Sequence, residues 1–198
     1  MKITVIGCGR WGSFIAWYLC RLGHAVTLYG RLGSAHLAQF RQTRTNGLVT
    51  LEDGVALTDS LEEAVSGAEM IVISISSQNL RALMAGLSKY PLAGKTIVLC
   101  MKGIEAKTGK RLTQVTEEFV SPETPVAIWV GPGHVQDFLA GIPNCMVIDS
   151  KDEKTKTRLV GAFSSGLIRF YYGEDLIGNE IGAASKNAPT SLVFVFSS

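Results

Sequence analysis

The sequence predicts an α/β fold, a doubly wound and mostly parallel sheet, and three observations carry that expectation. Short apolar runs rich in β-branched residues alternate with amphipathic stretches along the whole chain. Several of those runs are apolar at nearly every position, as strands covered on both faces must be. The first of them leads through a glycine-spaced turn into an apolar-periodic helix.

Taken in order, "KITVI" (2–6) is the first strand and 11–22 the helix after it. "AVTLY" (25–29) is the second strand, and 34–44 the second helical stretch. Residues 43–58, "TRTNGLVTLEDGVALT", break the alternation: Asn46-Gly47 and Asp53-Gly54 are turn signals flanking short apolar pieces. A small hairpin or an irregular excursion is expected there. Asp59-Ser60 followed by Glu62-Glu63 supplies a cap and an acidic first turn for a helix over 60–66. "MIVISI" (70–75), "TIVLC" (96–100), "VAIWV" (126–130), "CMVID" (145–149) and "IRFYY" (168–172) are the remaining strands. Helical stretches at 78–89, 109–120 and 152–164 separate most of them, and the lysines of the last are expected to form a solvated face.

Composition narrows the class of function. With 198 residues, 46% of them hydrophobic and 18% charged, the chain can bury a core as one domain or one domain with part of another. A net charge of +2 makes no field suited to nucleic acid or an anionic membrane. Cys8, Cys20, Cys100 and Cys145 are scattered without a CxxC pair, so neither a disulfide framework nor a zinc site is expected. The glycine-broken N-terminus does not read as a signal peptide, and no apolar stretch approaches the roughly 20 residues that span a bilayer. A soluble, cytoplasmic protein is the expectation.

"IGCGRWG" places Gly7, Gly9 and Gly12 as G-x-G-x-x-G between strand and helix. In that context each glycine has a reason: a tight turn, backbone approach to a pyrophosphate, and close helix–strand packing. The helix N-terminus adds unpaired N–H groups and a positive dipole end. The expected fold is therefore Rossmann-type, with a nicotinamide dinucleotide as ligand. The second strand ends in Gly30-Arg31 and not in an acid. A guanidinium can pair with a 2′-phosphate, which favours NADP or use of both NADP and NAD. The plainer alternative is a surface arginine in a loop. Lys102 stands just past the strand at 96–100, and Gly131-Pro132-Gly133 just past that at 126–130. Ligands of open α/β sheets gather at the carboxyl ends of strands.

The order of the Gly7–Gly12 fingerprint, Arg31, "SSQ" (76–78), "KGIE" (102–105), "GPGHVQDFLAGIPN" (131–144) and "YYGEDLIGNEIGAASKN" (171–187) resembles the NAD(P)-dependent glycerol-3-phosphate dehydrogenases. The resemblance covers residues 1–187. It implies an oxidoreductase interconverting dihydroxyacetone phosphate and sn-glycerol 3-phosphate for phospholipid synthesis. It implies that Arg10 and Trp11 line the cofactor, that Arg31 meets the 2′-phosphate, and that Val135 faces the cofactor. Lys102 falls near both nicotinamide and substrate, and Gly131 and Gly133 line the substrate. Lys186 falls on the catalytic proton donor and acceptor, with Asn187 beside it. Hydride delivery to a ketone leaves an alkoxide, so a positioned acid is required, and burial with a neighbouring cation would lower a lysine toward neutral pH. Gly133, His134, Asp137 and Ser76 depart from the family's usual residues, which touches fine substrate contacts. His134 reads as a solvated or cap-forming histidine.

The resemblance divides the chain into a dinucleotide-binding domain, 1–173, and the start of a C-terminal helical domain with an atypical tail, 174–198. After Asn187 comes "APTSLVFVFSS", with a helix-breaking Pro189 and strand-like "SLVFVF". A frameshift, an early stop or a truncated product is the reading, with a short relative the alternative. On that reading the chain binds NADP(H) or NAD(H), turns over dihydroxyacetone phosphate poorly, and exposes an apolar face that favours self-association, a homodimer included. An NAD(P)-binding module without catalysis, and another dehydrogenase of the superfamily, are the competing classes.

Overall fold

A computed structural model describes residues 1–185. Strands β1 (Lys2–Ile6), β2 (Ala25–Tyr29), β3 (Ala56–Thr58), β4 (Met70–Ile73), β5 (Thr96–Leu99), β6 (Val126–Val130), β7 (Asn144–Ser150) and β8 (Ile168–Tyr172) form one sheet. Its order is β3-β2-β1-β4-β5-β6-β7-β8. Every pairing is parallel except β6 with β7, which is antiparallel. The chain runs outward from β1 to β3, then returns to β4 on the other side of β1. That reversal opens a crevice beyond the carboxyl ends of β1 and β4, where doubly wound sheets bind ligands. The doubly wound, mostly parallel sheet expected from the sequence is the one found.

Both faces are covered. On one side α1 (Arg10–Arg21), α2 (Ala35–Thr43) and α7 (Glu153–Phe163) bury Phe14, Phe40 and Phe163 against the sheet. On the other, α3 (Leu61–Ser66), α4 (Leu80–Leu87) and α5 (Leu112–Glu117) bury Val65, Met84 and Val115. This two-sided cover explains why β4, β5 and β6 are buried at every position and read as unbroken apolar runs. Helices α6 (Val135–Leu139) and α8 (Leu176–Ser185) complete the fold.

Several helices start where their cap chemistry says they should. Ser34 accepts from the Leu37 N–H, Ser60 from that of Glu63, and Asp152 from that of Thr155. The excursion at 43–58 is part hairpin and part strand. Asn46 Oδ1 accepts from the N–H groups of Leu48 (3.0 Å) and Val49 (2.8 Å), closing a turn bridged at Thr45–Thr50. The chain then adds β3 to the sheet edge. A three-residue edge strand carries too short a pattern to be separated from a loop by periodicity.

One local expectation is corrected. The lysines of 152–164 do not share a solvated face: Lys156 is buried. Its ammonium donates to the Gly173 carbonyl (2.8 Å), pairs with Glu153 (2.6 Å) and lies 3.8 Å from the buried Asp149. A cation can be buried here because three oxygens replace its water. Among the described residues, no helix is long and apolar enough to cross a membrane.

Candidate dinucleotide site

The β1–α1 turn is built so that its glycines are needed for different reasons. Gly7 has φ +115°, and a Cβ there would lie 2.1 Å from the Ser74 carbonyl oxygen at the end of β4. Gly12, inside α1, packs directly on the turn, and its Cβ would lie 1.8 Å from the Gly7 oxygen. Gly9, the N-cap of α1, has ordinary extended backbone and open space in the Cβ direction. The first two glycines bring strand and helix together. The third leaves room in front of the helix. No acid occupies the first turn of α1, so its unpaired N–H groups and positive dipole end face that room uncompensated.

The room is part of a cleft of about 1310 Å³ at the carboxyl ends of the strands. Gly7, Gly9, Arg10, Trp11, Gly12, Arg31, Lys102, Gly131 and Gly133 all line it, so the fold gathers nearly all of the expected cofactor and substrate positions. Val135 is the exception: it is buried at the start of α6 and does not belong to the lining. Lys186 and Asn187 lie outside the described residues.

Arg31 follows β2 and Gly30, is exposed, and makes no ion pair among the described residues. Ser34, Ala35 and His36 line the same end of the cleft. At the other end Lys102 is half-buried and its ammonium donates to the Gly131 carbonyl at 3.2 Å. That bond links the loop after β5 to the turn after β6. Gly133 has φ +144°, and a Cβ there would lie 2.5 Å from the Phe138 ring. The Phe138 ring thus fills the place that a side chain at Gly133 would take. Phe138 stacks on Phe14 (5.1 Å between ring centroids), which stacks on Trp11 (5.2 Å). At about 0.5–1.5 kcal/mol each, these contacts tie the glycine-rich turn to the Gly131–Gly133 turn. His134 is exposed at the start of α6 and caps nothing with its side chain, as a solvated histidine would.

The sequence singled out fewer lining residues than there are. Cys8, Ser74, Ile75, Cys100, Met101 and Met146 also face the cleft. The signal for Ser74 to Met101 was available in principle, since they lie at the ends of β4 and β5 beside the switch point. Cys8 rests its sulfur 3.2 Å from the Ser34 hydroxyl. Burial pushes the Cys100 thiol well above its ordinary range.

Comparison with known proteins agrees with this geometry. The family model described as NAD-dependent glycerol-3-phosphate dehydrogenase N-terminus matches residues 2–156. A glycerol-3-phosphate dehydrogenase (NAD(P)+) of Mesorhizobium japonicum is 36% identical over 188 residues, covering 94% of this chain and 54% of that protein. One of Chlorobium limicola is 36% identical over 193 residues, covering 94% and 58%. The chain thus spans about half the length of the curated relatives it matches. In fold, it superposes on the glycerol-3-phosphate dehydrogenase of Coxiella burnetii with a TM-score of 0.85 at 21% identity, covering 92% of this chain and 56% of that one. The Saccharomyces cerevisiae enzyme gives 0.79 at 23% identity, covering 94% and 60%. With a glycine-turn cleft of this construction and a family model matched over most of its length, the chain belongs to the NAD-dependent glycerol-3-phosphate dehydrogenase N-terminus family.

Proposed function

We propose that the chain binds NADP(H) or NAD(H) in this cleft and serves the interconversion of dihydroxyacetone phosphate and sn-glycerol 3-phosphate. The observation that carries the cofactor reading is Gly9, which leaves open space at the uncompensated N-terminus of α1. In this reading the N–H groups after Gly9 take the pyrophosphate, Arg10 and Trp11 flank it, and Arg31 takes a 2′-phosphate. Lys102 contacts both cofactor and substrate, and Gly131 and Gly133 line the substrate. The nicotinamide supplies or accepts the hydride. Lys186 donates or accepts the accompanying proton with Asn187 beside it, on the strength of the resemblance.

In the same reading residues 1–173 are the dinucleotide-binding domain and 174–198, by resemblance, the start of a C-terminal helical domain with an atypical tail, in a cytoplasmic protein. The exposed Tyr171, Tyr172, Ile177 and Ile181 support pairing of two copies.

Arg31→Asp tests the cofactor assignment. Loss of a charge-assisted contact is expected to weaken NADPH at least about tenfold relative to NADH. The two dissociation constants, measured by fluorescence titration of the 198-residue chain, give the ratio. A ratio unchanged from wild type removes Arg31 from the site.

A further inference from the structure

The loop that carries Lys102 is gripped from one helical turn outside the cleft. Gln78, in the 3-10 turn Ser77–Asn79, donates Nε2 to the Ile104 carbonyl (2.9 Å) and accepts the Ala106 N–H at Oε1 (2.9 Å). One side-chain amide thereby completes both halves of a backbone ladder for the loop. Three residues on, Arg81 forks onto Glu105, Nε to Oε1 at 2.8 Å and Nη2 to Oε2 at 3.0 Å. Its other edge reaches Glu118, Nη1 to Oε2 at 2.5 Å. Glu105 is buried, and the Arg81 contact, helped by the Thr108 hydroxyl, holds its carboxyl below the usual carboxylate range. Gly103, at φ +135°, lies so close to this turn that a Cβ would sit 2.8 Å from the Ser77 hydroxyl. Residues 104 to 106 are each hydrogen-bonded to Gln78 or Arg81, while Gln78 and Arg81 themselves do not line the cleft.

We propose that Gln78 and Arg81 are positioning residues that hold the Lys102 loop, and act on cofactor binding only through Lys102. The proposal rests on the reading of Lys102 as a cofactor contact.

The test uses the 198-residue chain with NADPH as the probe. Gln78→Ala is expected to melt near the wild-type temperature, because Gln78 is exposed. Amide exchange at Ala106 should speed up at least about tenfold as its acceptor is lost. The NADPH dissociation constant should rise roughly fivefold. In a cycle with Lys102→Ala, the double variant should bind no more weakly than Lys102→Ala alone. Arg81→Lys, which keeps the charge without the fork, should move both readouts the same way by less. Effects of Gln78→Ala and Lys102→Ala that multiply, or unchanged exchange at Ala106, overturn the proposal. If Lys102→Ala leaves NADPH binding unaltered, the reading of Lys102 fails separately. Gln78→Ala must then loosen Ala106 without weakening NADPH, and a weakened constant overturns the proposal. If the chain binds no NADPH at all, exchange at Ala106 alone decides.

Discussion

Gly12→Ala is expected to cost about 3 kcal/mol or more of stability, while Gly9→Ala three residues earlier costs less than about 1 kcal/mol and weakens cofactor binding about tenfold or more. Both substitutions add the same methyl group. At Gly12 the methyl meets the Gly7 carbonyl at 1.8 Å, and neither can rotate away, since the carbonyl is backbone and a Cβ is fixed by the backbone that carries it. Helix α1 must then lift off the turn, and with it the Phe14 and Trp11 stack that reaches Phe138. At Gly9 the backbone is already acceptable for alanine and the methyl enters open space. It enters the space a pyrophosphate needs to reach the helix N-terminus, so NADPH affinity should fall about tenfold or more. Urea unfolding and NADPH titration on both variants check the pair. Wild-type stability in Gly12→Ala would refute the packing argument, and wild-type affinity in Gly9→Ala would refute the site.

The second large effect is expected at Glu180. This carboxylate is buried, accepting the Thr113 N–H (3.0 Å), the Thr113 hydroxyl (2.6 Å) and Arg111 Nη1 (2.5 Å). Its neighbour Asn179 donates to the buried Asp149 at 2.8 Å. Two consecutive residues of α8 thus fasten it to separate parts of the α/β core. Glu180→Ala strands Arg111, which is 14% exposed, together with two Thr113 donors, and should cost about 3–5 kcal/mol. Glu180→Gln keeps an acceptor and should cost clearly less. Denaturant unfolding followed by circular dichroism gives both values. A loss below about 1 kcal/mol for Glu180→Ala would mean that the clasp does not hold α8.

The parts of this fold that the sequence announced are those where one force dominates. Strands covered on both faces must be apolar throughout, and the glycine turn tolerates little else, so β4, β5, β6 and the turn from β1 into α1 are legible to within about two residues. The parts it hid depend on partners distant in sequence. β3 is three residues long and becomes a strand only because β2 is there to pair with it. Lys156 sits in a polar run and is buried only because Asp149 and the Gly173 carbonyl converge on it. Gln78, Arg81 and Glu180 carry ordinary surface letters, and their partners lie 24 to 69 residues away. The cleft itself was located from Gly7, Arg31, Lys102 and Gly131, since strand ends at a switch point converge by topology. Val135 was placed by resemblance alone, and packing turns it into the core.

The central claim is that this cleft is a nicotinamide dinucleotide site, and calorimetric titration of NADPH into the folded 198-residue chain tests it most directly. Saturable binding of one NADPH per chain, weakened in Gly9→Ala at unchanged melting temperature, is the result predicted. A chain that is folded by circular dichroism yet takes up neither NADPH nor NADH would contradict it.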